Sequence, residues 1–281
     1  APPVPRAPAP GEGPPAAKPG KPSVPVIGPE ALADEEPFTE PAGGTIEMTV
    51  PGEAVKNAEG VFWRVRRSAG EIWERGRATH AEYIDALASS PVELPAGCSS
   101  LQALATSPAG ILYLDIETTG LRSTPLFLVG LMYSEGEDLI IDQLFARDYT
   151  EERAVLSSVS RMLASREVLV TFNGNTFDVP FIADRMTFHG LPMGMPRSHV
   201  DLLPVSRALM KGRTPDHRLQ TLERFVLGRK RTGDIPGSEI PGAYHDYVRT
   251  RDARRMAAVI HHNRLDLLSM MELITVYLTN I

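Results

Sequence analysis

Cysteine is almost missing from this chain: Cys98 is the single one among 281 residues. That excludes an intramolecular disulfide framework and a cysteine-rich zinc centre, and it suits a reducing, cytoplasmic setting. Long apolar runs are missing as well, with nothing near the roughly 20 residues a helix needs to cross a bilayer. The opening APPVPRAPAP has no basic stretch followed by an apolar one, so no signal peptide is expected, and without an initiator methionine the sequence reads as a fragment. Aromatic residues make up only 6%, and the two tryptophans, Trp63 and Trp73, are expected to anchor packing rather than stack on bases. Positive charge is not in excess: the net charge of −6 argues against indiscriminate binding of polyanions.

What remains is ordinary for a soluble globular protein, with 42% hydrophobic and 23% charged residues. The length allows one good-sized domain with appendages, or two small domains. Residues 1 to about 45 are rich in Pro, Ala and Gly, cannot bury enough surface to offset ordering, and are expected to be a disordered tail or linker. Such a tract also has the composition of a polyproline segment that a protein partner could bind. Residues 46–107 show mixed signals: TIEMTV and GVFWRVRR alternate, while THAEYIDALASS has helical spacing. They are expected to form a small N-terminal extension packed on a main domain at 108–281.

In that domain, strands are expected at 111–117, 126–133 and 138–145, a helix at 151–164, a strand at 168–173, a helix at 179–189, a short strand at 199–203, and helices to the end. Three strands joined by short turns form an antiparallel meander, and later β–α–β units add parallel strands. The expected class is α/β, with a five-stranded mixed sheet flanked by helices.

The acidic residues carry the chemistry. ILYLDIE (111–117) reads as a buried strand, so Asp115 and Glu117 leave it on one face, roughly 7 Å apart. Two like charges so close repel unless a cation sits between them, and an oxygen-only pair suits magnesium or manganese rather than zinc. Asp178, in FNGNTFDVP, falls at a helix start beyond a strand end, where an aspartate can cap the helix, hold a metal ion, or do both. Asp266, in HHNRLDLL, shares a helix face with His262 one turn earlier. His261 lies roughly 140° around an ideal helix from Asp266.

Between Val200 and Arg264 there are 13 Lys/Arg against 7 Asp/Glu, concentrated in RALMKGR, GRKR and VRTRDARR. A basic patch on an acidic protein marks where a phosphate backbone could lie, and Arg207, Lys211, Arg213, Lys230 and Arg264 are its expected members. Asp201, in HVDLL, is expected either to orient a ligand or to cap a turn or helix. Tyr244 and Tyr247 are expected either to pack or to stack a base, with packing favoured.

DIETTGL, NGNTFDVPF and HNRLDLL together resemble the three exonuclease motifs of the DEDD superfamily, in order. GDIPGSEIPGAYHDYV (233–248) and VPGEAVKNAEGVFWRVRR (50–67) are similar to segments of its YprB-like ribonuclease H-like branch, so the resemblance runs from about Val50 to the C-terminus. It implies an RNase H-like fold and a metal site of two Mg²⁺ or Mn²⁺ ions on Asp115, Glu117, Asp178 and Asp266. The general base it implies falls on His262 or His261, because one branch has Tyr at the place of His262 and another has His at the place of His261. Helical phase favours His262. The implied activity is hydrolysis of single-stranded DNA or RNA from the 3′ end. A structure-specific endonuclease and a non-catalytic nucleic-acid-binding module are the alternatives. No membrane partner is expected, since no apolar run is long enough to span a bilayer.

Overall fold

The computed structural model describes residues 38–72, 76–91, 93–121 and 123–280. Trp73 and residues 1–37 of the expected disordered tail lie outside them. Seven strands, β1 (Glu53–Asn57), β2 (Gly60–Ser68), β3 (Ile111–Thr118), β4 (Leu126–Glu135), β5 (Asp138–Phe145), β6 (Val168–Thr171) and β7 (Ser198–Asp201), form one sheet. Their order is β1-β2-β5-β4-β3-β6-β7. The first five in that order run antiparallel, and β3, β6 and β7 run parallel. The longer helices are α1 (Gly76–Ala88), α2 (Glu152–Ala164), α3 (Asp178–His189), α4 (Leu202–Leu209), α5 (Ile240–Thr250) and α6 (Arg254–Asn280).

The α/β class, the meander and the parallel additions are as the sequence implied, and the fold is RNase H-like. The sheet has seven strands rather than five. β1 and β2, expected in an extension packed on the main domain, continue its sheet: β1 pairs with β2, and β2 with β5, with Arg64 opposite Leu144 and Arg66 opposite Asp142. The polar strand EAVKN then forms one edge of the sheet, where charge discourages pairing with another chain. TIEMTV differs too. Ile46–Thr49 is a single helical turn, with Ile46 and Val50 buried four residues apart and Met48 exposed, because four residues fit either period.

Strand alternation divides the core. Leu112, Leu114 and Ile116 of β3 join a cluster with Val155, Val159 and Leu163 of α2 and Phe181 and Ile182 of α3. Ile111 and Tyr113 join another with Tyr83 and Leu87 of α1 and Leu267, Met271 and Ile274 of α6. Tyr113 donates its hydroxyl hydrogen to the Tyr83 hydroxyl at 2.9 Å, pinning α1 to this face. Asp115 and Glu117 continue the Ile111–Tyr113 face, so they emerge where α6 crosses the sheet.

Trp63 is buried and donates from Nε1 to the Val50 carbonyl, the packing role expected of it. Tyr244 and Tyr247 are buried, and the Tyr244 ring stacks on Phe127 with centroids 4.0 Å apart, so neither offers a face to a base.

A buried ion cluster ties α2 to α3 and β4. Glu152 accepts from Arg185 Nε at 2.7 Å and Nη2 at 2.6 Å, from His189 Nε2 at 2.9 Å and from the Leu126 amide at 2.8 Å. Burial by itself would raise its pKa, but these donors outweigh burial and hold the carboxyl below the usual range. Replacing Glu152 by Ala leaves Arg185 buried without its partner. The expected cost is about 3–5 kcal/mol in urea denaturation, with an unchanged midpoint as the contrary result.

Candidate active site

β3 supplies two acids and a defined kink. The register against β4 shifts between Glu117 and Thr118, a bulge of the kind that re-aims side chains at the end of a strand. Asp115 is fixed by α6. Asn263 Nδ2 donates to Asp115 Oδ2 at 2.7 Å, and Asn263 Oδ1 accepts from Gln143 Nε2 on β5 at 2.8 Å. This close approach needs a glycine across the strand. Gly130 pairs with Asp115, and a Cβ there would stand 2.1 Å from Asn263 Oδ1.

Asp178 begins α3 and is 4% exposed. Its carboxylate takes backbone hydrogen bonds from its own amide and from that of Ile116, which lies between the two acids of β3. Asp266 arrives from α6. Burial, together with the charges of Asp266, Glu117 and Asp178, pushes Asp115 well above the carboxylate range. Burial, resisted by His262 and aided by Asp266 and Asp178, puts Glu117 at about 8. Burial raises Asp178 to about 7 against its two amide donors, with Asp201 and Asp266 adding to the rise. Asp266 is raised by burial, although Arg231 and His262 pull it down. The four acids that the sequence singled out therefore act on one another.

The histidines separate. Nε2 of His262 lies 3.6 Å from Asp266 Oδ2, while its Nδ1 meets Asp234 Oδ1 at 2.7 Å. Burial would lower its pKa, but Asp234, Asp266 and Glu117 overcome that and raise it to about 9. His261 is occupied elsewhere. Arg264 Nη2 donates to its Nδ1 at 2.7 Å, Phe38 stacks on its ring at 5.0 Å, and burial with the Arg264 charge lowers it to about 4. Phe38 falls within the stretch expected to be disordered, and Gly44 nearby accepts from the Ala253 amide at 2.8 Å.

Arg231, Asp234, Asn263, Gln143 and Glu223 were not singled out in the sequence. Arg231 is buried and binds three carboxylates: Glu223 at 2.5 Å, Asp234 at 3.2 Å, and Asp266. Arg229 also turns inward, to Glu272 at 2.5 Å and to Ser269 Oγ at 2.9 Å. Two of the three cations in GRKR are thus neutralised inside the protein. Lys230 between them is exposed, at the rim of a cavity of about 340 Å³ that Glu223, Arg231 and Asp234 also line. Arg207 and Lys211 are exposed, Arg213 is partly buried, and Arg264 is engaged with His261. A signal for Gln143 existed: it is a polar residue in the apolar run DLIIDQLF, and it is 1% exposed. Asp201 caps α4 through the Leu203 amide at 3.0 Å and also accepts from the Asn173 and Asn175 amides at 2.8 and 3.0 Å.

The donor chemistry fits divalent metal. Asp115, Glu117, Asp178 and Asp266 offer only hard oxygens, and their mutual repulsion is what a dication relieves. The side chains are not drawn tight around an ion: among the described residues no three His, Cys, Asp or Glu side chains form a ready metal-holding group. Arg231 instead provides the positive charge at Asp266. Among the described residues no helix is long and apolar enough to cross a membrane.

The RNase_H superfamily model, RNase_H_2, matches residues 112–278. The chain is 30% identical over 181 residues to the protein YprB of Bacillus subtilis, a match covering 62% of this chain and 43% of that protein. It is 28% identical over 166 residues to DNA polymerase 1 of Aeropyrum pernix, covering 54% of this chain and 17% of the polymerase. The chain thus spans less than half the length of either curated relative. Among solved structures, the family B DNA polymerase from Pyrobaculum calidifontis aligns over 58% of this chain and 24% of its own, with 19% identity and a TM-score of 0.46.

The raised acids have a measurable consequence. The unfolded chain releases their protons from about pH 4, whereas the folded protein retains them toward the values of about 7 and 8 at Asp178 and Glu117. The folded state binds more protons across that window, so stability falls as pH rises through it. With a chelator present, Tm should drop on the order of 5 °C between pH 5 and pH 8, and Mn²⁺ should restore it at pH 8. A Tm that is flat with pH and indifferent to Mn²⁺ would show that the four acids do not repel one another.

Proposed function

Because the chain belongs to the RNase_H superfamily, we propose that it is a metal-dependent nuclease that hydrolyses phosphodiester bonds, acting as a 3′→5′ exonuclease on single-stranded ends. The observation that carries this reading is the convergence of Asp115, Glu117, Asp178 and Asp266, all raised by burial, with the Asp266 charge adding to the rise of the other three. A pure binding module gains nothing from holding four acids where they repel one another. Asp115, Glu117, Asp178 and Asp266 are the residues that would hold Mg²⁺ or Mn²⁺, in keeping with the two-ion site implied by the motifs. When bound, such ions supply positive charge to the phosphoryl oxygens and lower the pKa of the attacking water.

The rest falls to the chain's own side chains. Once Asp266 and Glu117 are neutralised, His262 loses two of the interactions that raise its pKa to about 9, and Nε2 is free to accept a proton from water. The oxygen of that water attacks phosphorus in line, the bond to the 3′-oxygen breaks, and the leaving oxygen is protonated by solvent. Asn263 keeps Asp115 from rotating away. Arg207, Lys211 and Lys230, all exposed, are the cations available to a phosphate backbone; Arg213 is partly buried, and Arg264 would have to release His261 to join them.

Single-stranded DNA and RNA labelled at the 5′ end and incubated with Mn²⁺ should shorten progressively. Internal cuts from the outset would favour the endonuclease reading, and intact strands under every divalent ion would favour the binding module. Asp115→Asn should abolish turnover while leaving strand binding within about 3-fold, and activity near wild type would remove Asp115 from the site. His262→Ala should cost roughly 10²-fold or more in kcat and His261→Ala far less. The reverse order would move the base to His261.

A further inference from the structure

Asp234 belongs to neither the four acids nor the basic patch, yet among the described residues it is the carboxylate hydrogen-bonded to the histidine that faces those acids. It sits in the loop between the helical turn ending at Leu227 and the short turn Gly237–Glu239. Its two oxygens have different partners. Oδ1 meets Nδ1 of His262 at 2.7 Å, and Oδ2 accepts from Arg231 Nη1 at 3.2 Å and from Gln220 Nε2 at 3.5 Å. The His262 and Asp234 side chains are both 10% exposed, so water competes little for these bonds. Arg231 Nη1 also lies 3.5 Å from His262 Nδ1, too far to displace the 2.7 Å contact.

An ionised carboxylate only accepts, so the hydrogen of this bond belongs to Nδ1 of the ring. A neutral imidazole has one N–H, and with the hydrogen on Nδ1 the lone pair is on Nε2, the nitrogen 3.6 Å from Asp266. Resting on the reading of His262 as the base, we propose that Asp234 is the positioning residue of this site: it holds the His262 ring in place and selects the tautomer whose Nε2 lone pair faces the acids. Arg231 has a part in this, because it claims Oδ2 and leaves Oδ1 as the oxygen that meets the ring.

That division makes the role separable from mere loop anchoring. In Asp234→Asn the side-chain carbonyl oxygen stays with Arg231 and Gln220, which only donate there, and the amide NH₂ faces Nδ1. A donor at that place suits a ring with its hydrogen on Nε2, the wrong tautomer for taking a proton from water. Asp234→Ala frees the ring without inverting it. The isosteric Asn variant should therefore be the slower of the two, although it preserves more of the loop's contacts. A residue that only anchors the loop gives the opposite order.

The test measures kcat and KM for wild type, Asp234→Asn, Asp234→Ala and His262→Ala on 5′-labelled single strands with Mn²⁺. In parallel, ¹⁵N spectra of histidine-labelled, Mg²⁺-loaded protein report which ring nitrogen is protonated. The expected result is a kcat loss of about 10-fold to 100-fold in Asp234→Ala, about 10³-fold or more in Asp234→Asn, and KM little changed in both. Nδ1 of His262 should carry the hydrogen in wild type and Nε2 in Asp234→Asn. Asp234→Asn at least as fast as Asp234→Ala, or Nδ1 still protonated in Asp234→Asn, overturns the proposal. If His262→Ala is slow and Asp234→Asn behaves as wild type, positioning fails and the base reading stands. If His262→Ala matches wild type, the base reading fails and the positioning role with it. The spectra need no turnover, so they decide the tautomer whichever strand the protein cuts.

Discussion

The organising constraint is like-charge repulsion at the end of β3. Asp115 and Glu117 leave one strand on one face, and Asp178 and Asp266 are brought to them by helices that start or cross there. Burial raises all four acids, the Asp266 charge adds to the rise of the other three, and the neighbouring residues offset it. Asn263 grips Asp115, Ile116 lends Asp178 an amide, and Arg231 and His262 oppose Asp266. Even Gly130 follows from it, since a side chain there would keep Asn263 away from Asp115. The arrangement is costly for a fold, which is why it supports the proposed role in holding a cation.

Arg231 and Asp234 give the site a second layer. Arg231 bridges Glu223, Asp234 and Asp266, so one of the four acids, Asp266, and the carboxylate behind His262 share one guanidinium. Its planar group makes four hydrogen bonds to these three carboxylates, one more than the three donors of a lysine allow. This charge favours the ionised form of Asp266. On the proposed reading, a metal ion held by Asp266 would contend with Arg231 for that carboxylate.

Much of this could be read before the fold was known, for reasons of period. Two residues on a strand share a face and four on a helix share a side, so Asp115 with Glu117, and His262 with Asp266, were legible from spacing. Helical phase also separated His262 from His261, and the two do turn to different partners. Loops have no such period. GRKR read as a surface patch, yet Arg229 and Arg231 turn inward, because only the folded chain brings Glu272, Glu223 and Asp266 to meet them. Asp234 was invisible for the same reason. That β1 and β2 extend the sheet was not legible, because the pairing of β2 with β5 joins residues about 80 positions apart and no local pattern encodes it.

The most direct test of the account is a crystal soaked in Mn²⁺ with a short oligonucleotide and examined by anomalous scattering. The account predicts manganese peaks among Asp115, Glu117, Asp178 and Asp266, with Arg231 withdrawn from Asp266. No manganese at these carboxylates, with Arg231 still bound to Asp266, would contradict it.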